Sequence, residues 1–344
     1  MLTNRQLQIL QVIVDDFVMS AQPVGSRQIA KKEGITFSAA TIRNEMADLE
    51  ELGFLEKTHT SSGRVPSEQG YRFYVDHLLK PQVISGNDVN QIHSLFEKQM
   101  FEAEKVIRES ANILSELTTY TTILLGPDVK KHRVKKVQIV PLTEQTAVAI
   151  IVTDNGHVEN RVLPLPSGFS PSEIEKMVNI LNDRLVGVPL HDFQMKLETE
   201  ALSILKQHVN AAESIIQSLV SISANQSEGN VYYGGKSNML NQPEFHDLNK
   251  VRMLMDLIDK KSQVHTLFNQ QQSGIQIRIG SENNHLAMEN CSVITASFLL
   301  DEEQQGAIAI IGPTRMDYKR VVTLLEVMRN GLSQAFMKGT NDKL

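Results

Sequence analysis

From Ser20 to Tyr74 the chain reads SAQPVGSRQIAKKEGITFSAATIRNEMADLEELGFLEKTHTSSGRVPSEQGYRFY. Two short helical patterns, a tight turn and a polar loop ending in Gly63-Arg64-Val65-Pro66 follow one another here. Few folds accept that order. Pro23-Val24-Gly25 breaks the chain, and Ser26 can cap a short helix that places Ile29 and Ala30 inward. Gly34 ends that helix, and Ser38 is placed to cap the next, which runs to about Leu52 and stops at Gly53. Upstream, Thr3-Asn4-Arg5-Gln6 has capping-box spacing, followed by Leu7, Leu10, Val14 and Phe17 on one helical face.

The helix beginning after Ser38 has two unlike faces. Ile42, Met46, Leu49 and Leu52 form the side that packs inward. Ala40, Asn44 and Ala47 lie opposite, flanked by Thr41 and Arg43. Small residues permit close approach there, and Arg and Asn have the forked groups that read guanine or adenine edges. Glu45, Asp48, Glu50 and Glu51 crowd the later turns, so the N-terminal half is the one suited to a phosphate-lined groove. Phe54–Lys57 and a segment starting near Val65 are predicted strands around the hydroxyl-rich tip His59-Thr60-Ser61-Ser62-Gly63-Arg64, whose cation suits the phosphate backbone or the minor groove. Together these elements predict a winged helix-turn-helix. Its candidate DNA-contacting residues are Ser26, Arg27, Ser38, Thr41, Arg43, Asn44, His59, Ser61, Ser62 and Arg64. Residues 1–80 carry nine cations against ten acids, which predicts modest non-specific affinity.

Several of these segments resemble the HrcA family of heat-inducible transcription repressors. The resemblance rests on Gln22–Ser26, Ser38–Met46, Leu49–Phe54, His59–Pro66 and Tyr71-Arg72, and further on Asn238–Phe245, Gly274–Gly280 and Ile311–Met316. It implies a repressor that binds an inverted-repeat operator ahead of chaperone genes as a homodimer. It also implies that the GroEL chaperonin keeps the repressor active, and that a GAF-like domain carries an inserted dimerising domain.

At 344 residues the chain has room for two or three domains, and a net charge of -6 with 41% hydrophobic content fits a folded, non-histone-like protein. The single cysteine, Cys291, cannot form an intrachain disulfide, which suits the cytoplasm. The longest apolar runs, Ala147–Val152 and Ala307–Ile311, have strand length, so no membrane span is expected.

Proline, serine and glycine between Pro81 and Gly86 mark a boundary, and Asp88 to about Tyr120 reads as one long helix. Strands are predicted at Val134–Val140, Ala147–Val152, His157–Leu163, Ile275–Ile279, Ser292–Phe298 and Gly306–Ile311. The turn Asp154-Asn155-Gly156 joins two of them. Helices at Pro171–Leu185, Glu198–Ser223 and Asp247–Lys260 fall between the two strand groups, and Tyr318–Phe336 closes the chain. The class is therefore α+β with an interruption. With the resemblance, the expected organisation is a DNA-binding domain over 1–80, a helical linker over 81–125, a GAF-like domain over 126–163 and 246–344, and a dimerising insert over 164–245. The basic run Lys130, Lys131, Arg133, Lys135 and Lys136 is expected to be a solvated strand edge.

No catalytic chemistry is expected. Gly235-Lys236-Ser237 lacks the leading glycine of a phosphate-binding loop, since Asn230 stands there. The ten histidines are scattered, no cysteine pair exists for zinc, and no cofactor is implied. His285 and Cys291 lie near each other in sequence, yet a buried structural cysteine is the commoner case. A metabolite-sensing regulator acting through the GAF-like domain is the alternative function.

Overall fold

The computed structural model of the chain describes residues 2–58, 63–80, 82–98, 103–126, 133–154, 158–165, 170–208, 215–217, 219–220, 231–245, 247–268, 274–300 and 305–341. The fold mixes helix and sheet, α+β in class. Two compact units divide it, one comprising Met1–Gly126 and Val231–Leu344, the other Pro127–Asn230.

The first unit opens with α1 (Asn4–Ser20), whose capping box forms as the sequence predicts: Gln6 N donates to Thr3 Oγ1 at 3.2 Å and Thr3 N to Gln6 Oε1 at 2.9 Å. Ile9, Leu10, Ile13 and Val14 are fully buried, while the expected Leu7 and Phe17 are only half-buried. The apolar stripe is broad because α1 packs against a helix, a strand and a second helix at once. α2 (Ser26–Ile29) is one turn long and starts from Gly25, so Ser26 is not its cap. Val24, held in an antiparallel bridge to Arg64, delivers the chain into that turn one residue early. α3 (Ala39–Glu51) is capped by Ser38, whose Oγ accepts from Thr41 N at 3.1 Å. It ends at Gly53, φ +82°, where Phe54 N donates to Leu49 O at 2.9 Å and Gly53 N to Glu50 O at 3.0 Å. Leu52 sits in this cap, past the last helical turn, and is 52% exposed instead of inward. β1 (Leu55–Lys57) and β2 (Arg64–Pro66) pair antiparallel, and Ser67 caps α4 (Glu68–His77).

The expected single helix after Gly86 is two, α5 (Gly86–Lys98) and α6 (Ala103–Thr118), packed on each other. They are not a free linker. Both pack against the C-terminal helix Tyr318–Asn341, and α6 also lies on a sheet. That sheet has five antiparallel strands in the order β7-β3-β10-β9-β8: β3 (Thr121–Leu125), β7 (Val231–Gly234), β8 (Ile275–Ile279), β9 (Cys291–Leu299) and β10 (Gln305–Pro313). Its alternating residues feed two cores. Leu124, Ile294, Ile308 and Ile310 join the core of α1, α3 and the C-terminal helix. Ile123, Val293, Ala309 and Ile311 meet the helices Leu248–Asp259 and Lys261–Phe268. Burial on both faces explains why β10 reads as a continuous apolar run.

The second unit contains β4 (Val134–Thr143), β5 (Thr146–Thr153) and β6 (Val158–Pro164) as an antiparallel sheet in the order β4-β5-β6. Helices α7 (Pro171–Leu185), α8 (Leu190–Lys196) and α9 (Leu202–His208) belong to the same unit. Of the expected 154–156 turn, Asn155 and Gly156 lie outside the described residues, as do Lys130 and Lys131 of the basic run.

Here the expected domain limits change. The strands over 134–164 do not extend the five-stranded sheet. They bury Val137, Ile139, Ala147, Ala149, Ile151 and Leu163 against Met177, Leu181, Leu185 and Phe193, so strands and helices form one core. The five-stranded sheet is completed instead by β3, which follows the predicted helix ending near Tyr120, and by β7, where no strand was expected. The interruption therefore spans 127–230, not 164–245.

Candidate nucleic-acid interface

The first turns of α3 combine exposure with polarity. Ala40, Arg43, Asn44 and Ala47 face solvent, while Ile42, Met46 and Leu49 are buried against α1 and α2. Ser38 and Thr41 share a hydroxyl–hydroxyl hydrogen bond of 2.9 Å at the helix start. Arg27 on the neighbouring α2 is also exposed. Ser38, Thr41, Arg43 and Asn44 thus share one helix end.

Two acids that would oppose a phosphate backbone are already paired. Arg5 reaches Glu45 at 3.0 Å with its guanidinium 5.0 Å from the Phe37 ring centre, and Arg64 reaches Glu50 at 2.6 Å. Asp16 takes Lys32 at 2.5 Å and the Gln28 amide at 3.2 Å, which ties α2 to α1. Neutral pairs lower the repulsion that the composition alone implies.

The remaining expected site residues fare differently. Ser26 is buried, 9% exposed, because it is the first residue of a turn pressed against the core, so it presents no surface to a ligand. Arg64 is turned onto α3 instead of standing free at a loop tip, its side chain 17% exposed. His59, Ser61 and Ser62 lie outside the described residues.

Sequence reading missed an anchoring network between α4 and the five-stranded sheet. Arg72 donates from Nε to Glu282 Oε1 at 2.8 Å, again to Glu282 Oε2, to Ile277 O at 2.6 Å, and to Asp76 at 3.1 Å. The bond to Ile277 O satisfies a carbonyl on the edge strand β8, which blunts that edge. Glu68 accepts from Ser281 Oγ at 2.6 Å. On α1, Asp15 takes both Lys319 Nζ at 2.9 Å and the Tyr74 hydroxyl at 2.6 Å, while Arg315 donates to Val18 O at 3.2 Å. The partners that join α1 and α4 to the C-terminal part of the chain are some 200–300 positions apart, so no local pattern announces them.

Burial, then the hydrogen bond to Asp15, raises the Tyr74 hydroxyl above its ordinary value. Burial alone would raise the Glu282 carboxyl, but the Arg72 guanidinium and the Ile279 N–H together hold it below its ordinary 4.5. A depressed carboxylate contributes stability that is present above the unfolded value and lost as pH falls through the folded one. The thermal midpoint should therefore drop below pH 4.5, and Glu282→Gln should remove that component of the decline. A melting series across pH on both proteins checks this; identical profiles would count against the anchor.

Among the described residues, no group of three or more His, Cys, Asp or Glu is placed to hold a metal, and no helix is long and apolar enough to cross a membrane. Cys291 is buried and its thiol is pushed up to about 12 by that burial, while His285 Nδ1 accepts from Ala287 N at 3.2 Å. Lys236 is tied to Asp259 at 2.7 Å and lies 3.8 Å from the Tyr233 ring centre, so the Gly-Lys-Ser segment is a structural turn.

A protein described as heat-inducible transcription repressor HrcA from Lysinibacillus sphaericus is 66% identical over 343 residues, 99% of this chain and 100% of the relative. Another of that description, from Bacillus pumilus (strain SAFR-032), is 55% identical over 336 residues, 97% of this chain and 98% of the relative. The family model described as HrcA protein C terminal domain matches residues 104–322. A crystal structure of a hypothetical protein at 2.2 Å resolution shares the fold, with a TM-score of 0.72 and 24% identity, covering 98% of this chain and 100% of that one. The class so defined is a transcription repressor of the heat-shock response. The chain belongs to the HrcA family.

Proposed function

We propose that the chain represses heat-shock operons by binding an inverted-repeat operator as a homodimer, through a winged helix-turn-helix formed by residues 1–80. In this reading α3 is the recognition helix and β1–β2 the wing. The observation that carries it is the solvent-facing N-terminal half of α3, where Arg43 and Asn44 stand free of the core while Glu45 and Glu50 downstream are neutralised by Arg5 and Arg64. Arg43 and Asn44 are the base readers; Ser38, Thr41 and Arg27 are backbone contacts, joined by His59, Ser61 and Ser62 of the wing.

The five-stranded sheet with helices on both faces is the GAF-like domain, and the unit Pro127–Asn230 is the dimerising insert. What supports dimerisation there is the sheet face turned away from its helices. Val140, Val148 and Val162 lie in one cross-strand row and Val152 and Val158 in another, with Val140, Val158 and Val162 between 45% and 60% exposed. A row of exposed valines on a soluble protein's sheet suits a self-complementary two-fold interface. The repressor acts in the cytoplasm, where the GroEL chaperonin sustains its activity.

Among the described residues, the cleft beside α6 does not favour a metabolite sensor. The cleft beside α6, about 460 Å³, is lined by Glu109, Asn112, Ser115, Glu116, Asn238 and other polar residues and lacks the apolar walls of a small-molecule pocket.

The test is a titration of full-length protein at fixed, near-physiological salt against an inverted-repeat duplex and a scrambled one, with and without GroEL. Preference for the repeat, sharpened by chaperonin, is the expected result. A folded dimer without preference would overturn the operator reading, and preference untouched by GroEL would remove the chaperonin from it.

A further inference from the structure

The wing's attachment to α3 is built from more than its two-stranded ladder. β1 and β2 pair over three residues each, and so small a hairpin has marginal stability by itself. Lys57↔Arg64 is the last described pair of the ladder, so whatever holds Arg64 holds that end of β2.

Three constraints converge on that root. Val24 N donates to Arg64 O at 2.9 Å and Arg64 N to Val24 O at 3.0 Å, adding the turn before α2 as a partner strand. Gly63 is buried against Pro23, and a Cβ there would lie 2.8 Å from the Pro23 carbonyl carbon. The Arg64 guanidinium then reaches across to α3, with Nε donating to Glu50 Oε2 at 2.7 Å and Nη2 at 2.6 Å from the same oxygen. Its side chain is 17% exposed and that of Glu50 34%, so the pair is partly shielded from water.

We propose that Glu50 and Arg64 are a positioning pair that fixes the wing on the recognition helix, and that Arg64 influences operator binding through this placement, not as a phosphate contact. The inference rests on the DNA-binding reading above. An acid on the recognition helix ordinarily opposes DNA, so a favourable effect of Glu50 has no electrostatic explanation. Placement supplies one: both half-sites require recognition helix and wing to meet their grooves at once, and a wing free to swing loses that simultaneity.

The experiment uses the full chain with Glu50→Gln, Arg64→Gln, the two combined, and the exchanged pair Glu50→Arg with Arg64→Glu. Operator affinity is measured for each over a range of salt, with circular dichroism melting to confirm folding. Glu50→Gln and Arg64→Gln should each weaken operator binding by roughly threefold to tenfold. The combined variant should be no worse than either, the salt slope should stay that of the parent, and the exchanged pair should recover most of the loss. Unchanged or tighter binding by Glu50→Gln would overturn the proposal, as would a salt slope reduced by about one in Arg64→Gln, the mark of a lost phosphate contact. If the parent itself does not prefer the inverted repeat, the DNA-binding reading falls first. Preference in the parent with a neutral Glu50→Gln overturns the positioning role alone.

Discussion

Val162→Asp is expected to leave a folded monomer whose operator affinity is lower by at least about a hundredfold, the scale on which linked half-sites strengthen one another. The side chain is 60% exposed on the outer sheet face, opposite Val148, so the isolated unit tolerates a carboxylate there. Across a two-fold interface the same carboxylate would be buried without a partner and close to its own symmetry copy, which is strongly unfavourable. Light scattering with size separation reads the oligomer, and operator titration of the same sample reads the affinity. The melting transition should stay cooperative and fall only by what association adds to the parent. A dimer that persists with parental affinity would show that this face is not the interface.

Arg43→Ala and Asn44→Ala should each cost about 1–3 kcal/mol of operator binding and blur preference at the bases they read. Both side chains are exposed, so their removal opens no cavity. Alanine is also the better helix former, and the melting temperature should be unchanged or slightly higher. Competition between the parent operator and single-base variants is the decisive measurement. A base reader lost from the protein makes one position indifferent, whereas a lost phosphate contact weakens all sequences alike. Uniform weakening by both variants would move Arg43 and Asn44 from base recognition to backbone contact.

What the sequence made legible was local. Thr3 with Gln6, Ser38 with Thr41, and Gly53 after Leu52 mark helix ends through bonds spanning three to five residues, and each forms where the pattern places it. The same holds for α7, whose capping box joins Ser170 to Glu173 beside Pro171. Strand positions over 134–164 were readable by alternation, but alternation does not say which helices cover the inner face. Met177, Leu181 and Phe193 decide that, and they claim these strands for the second unit. β3 was hidden because Thr121–Leu125 directly follows a helix ending at Thr118, and β7 because Val231-Tyr232-Tyr233-Gly234 follows a polar stretch. The candidate interface was half legible. Its exposed face on α3 follows from helical periodicity, whereas the pairing of Arg64 with Glu50 depends on how a hairpin folds back over a helix fourteen residues away.

β3 and β7 are neighbours, with Leu125 directly opposite Val231. The chain thus leaves the five-stranded sheet at one point and rejoins it about 5 Å away, the spacing of adjacent strands. In topological terms the second unit is a guest on a closed host, and a two-residue Asn-Gly turn joining the two strands would make them a simple hairpin. Among the described residues, none of the host's strand pairings passes through the guest. Such an insertion point can gain, lose or exchange its passenger without rewiring the sheet, so the two units are free to evolve at separate rates.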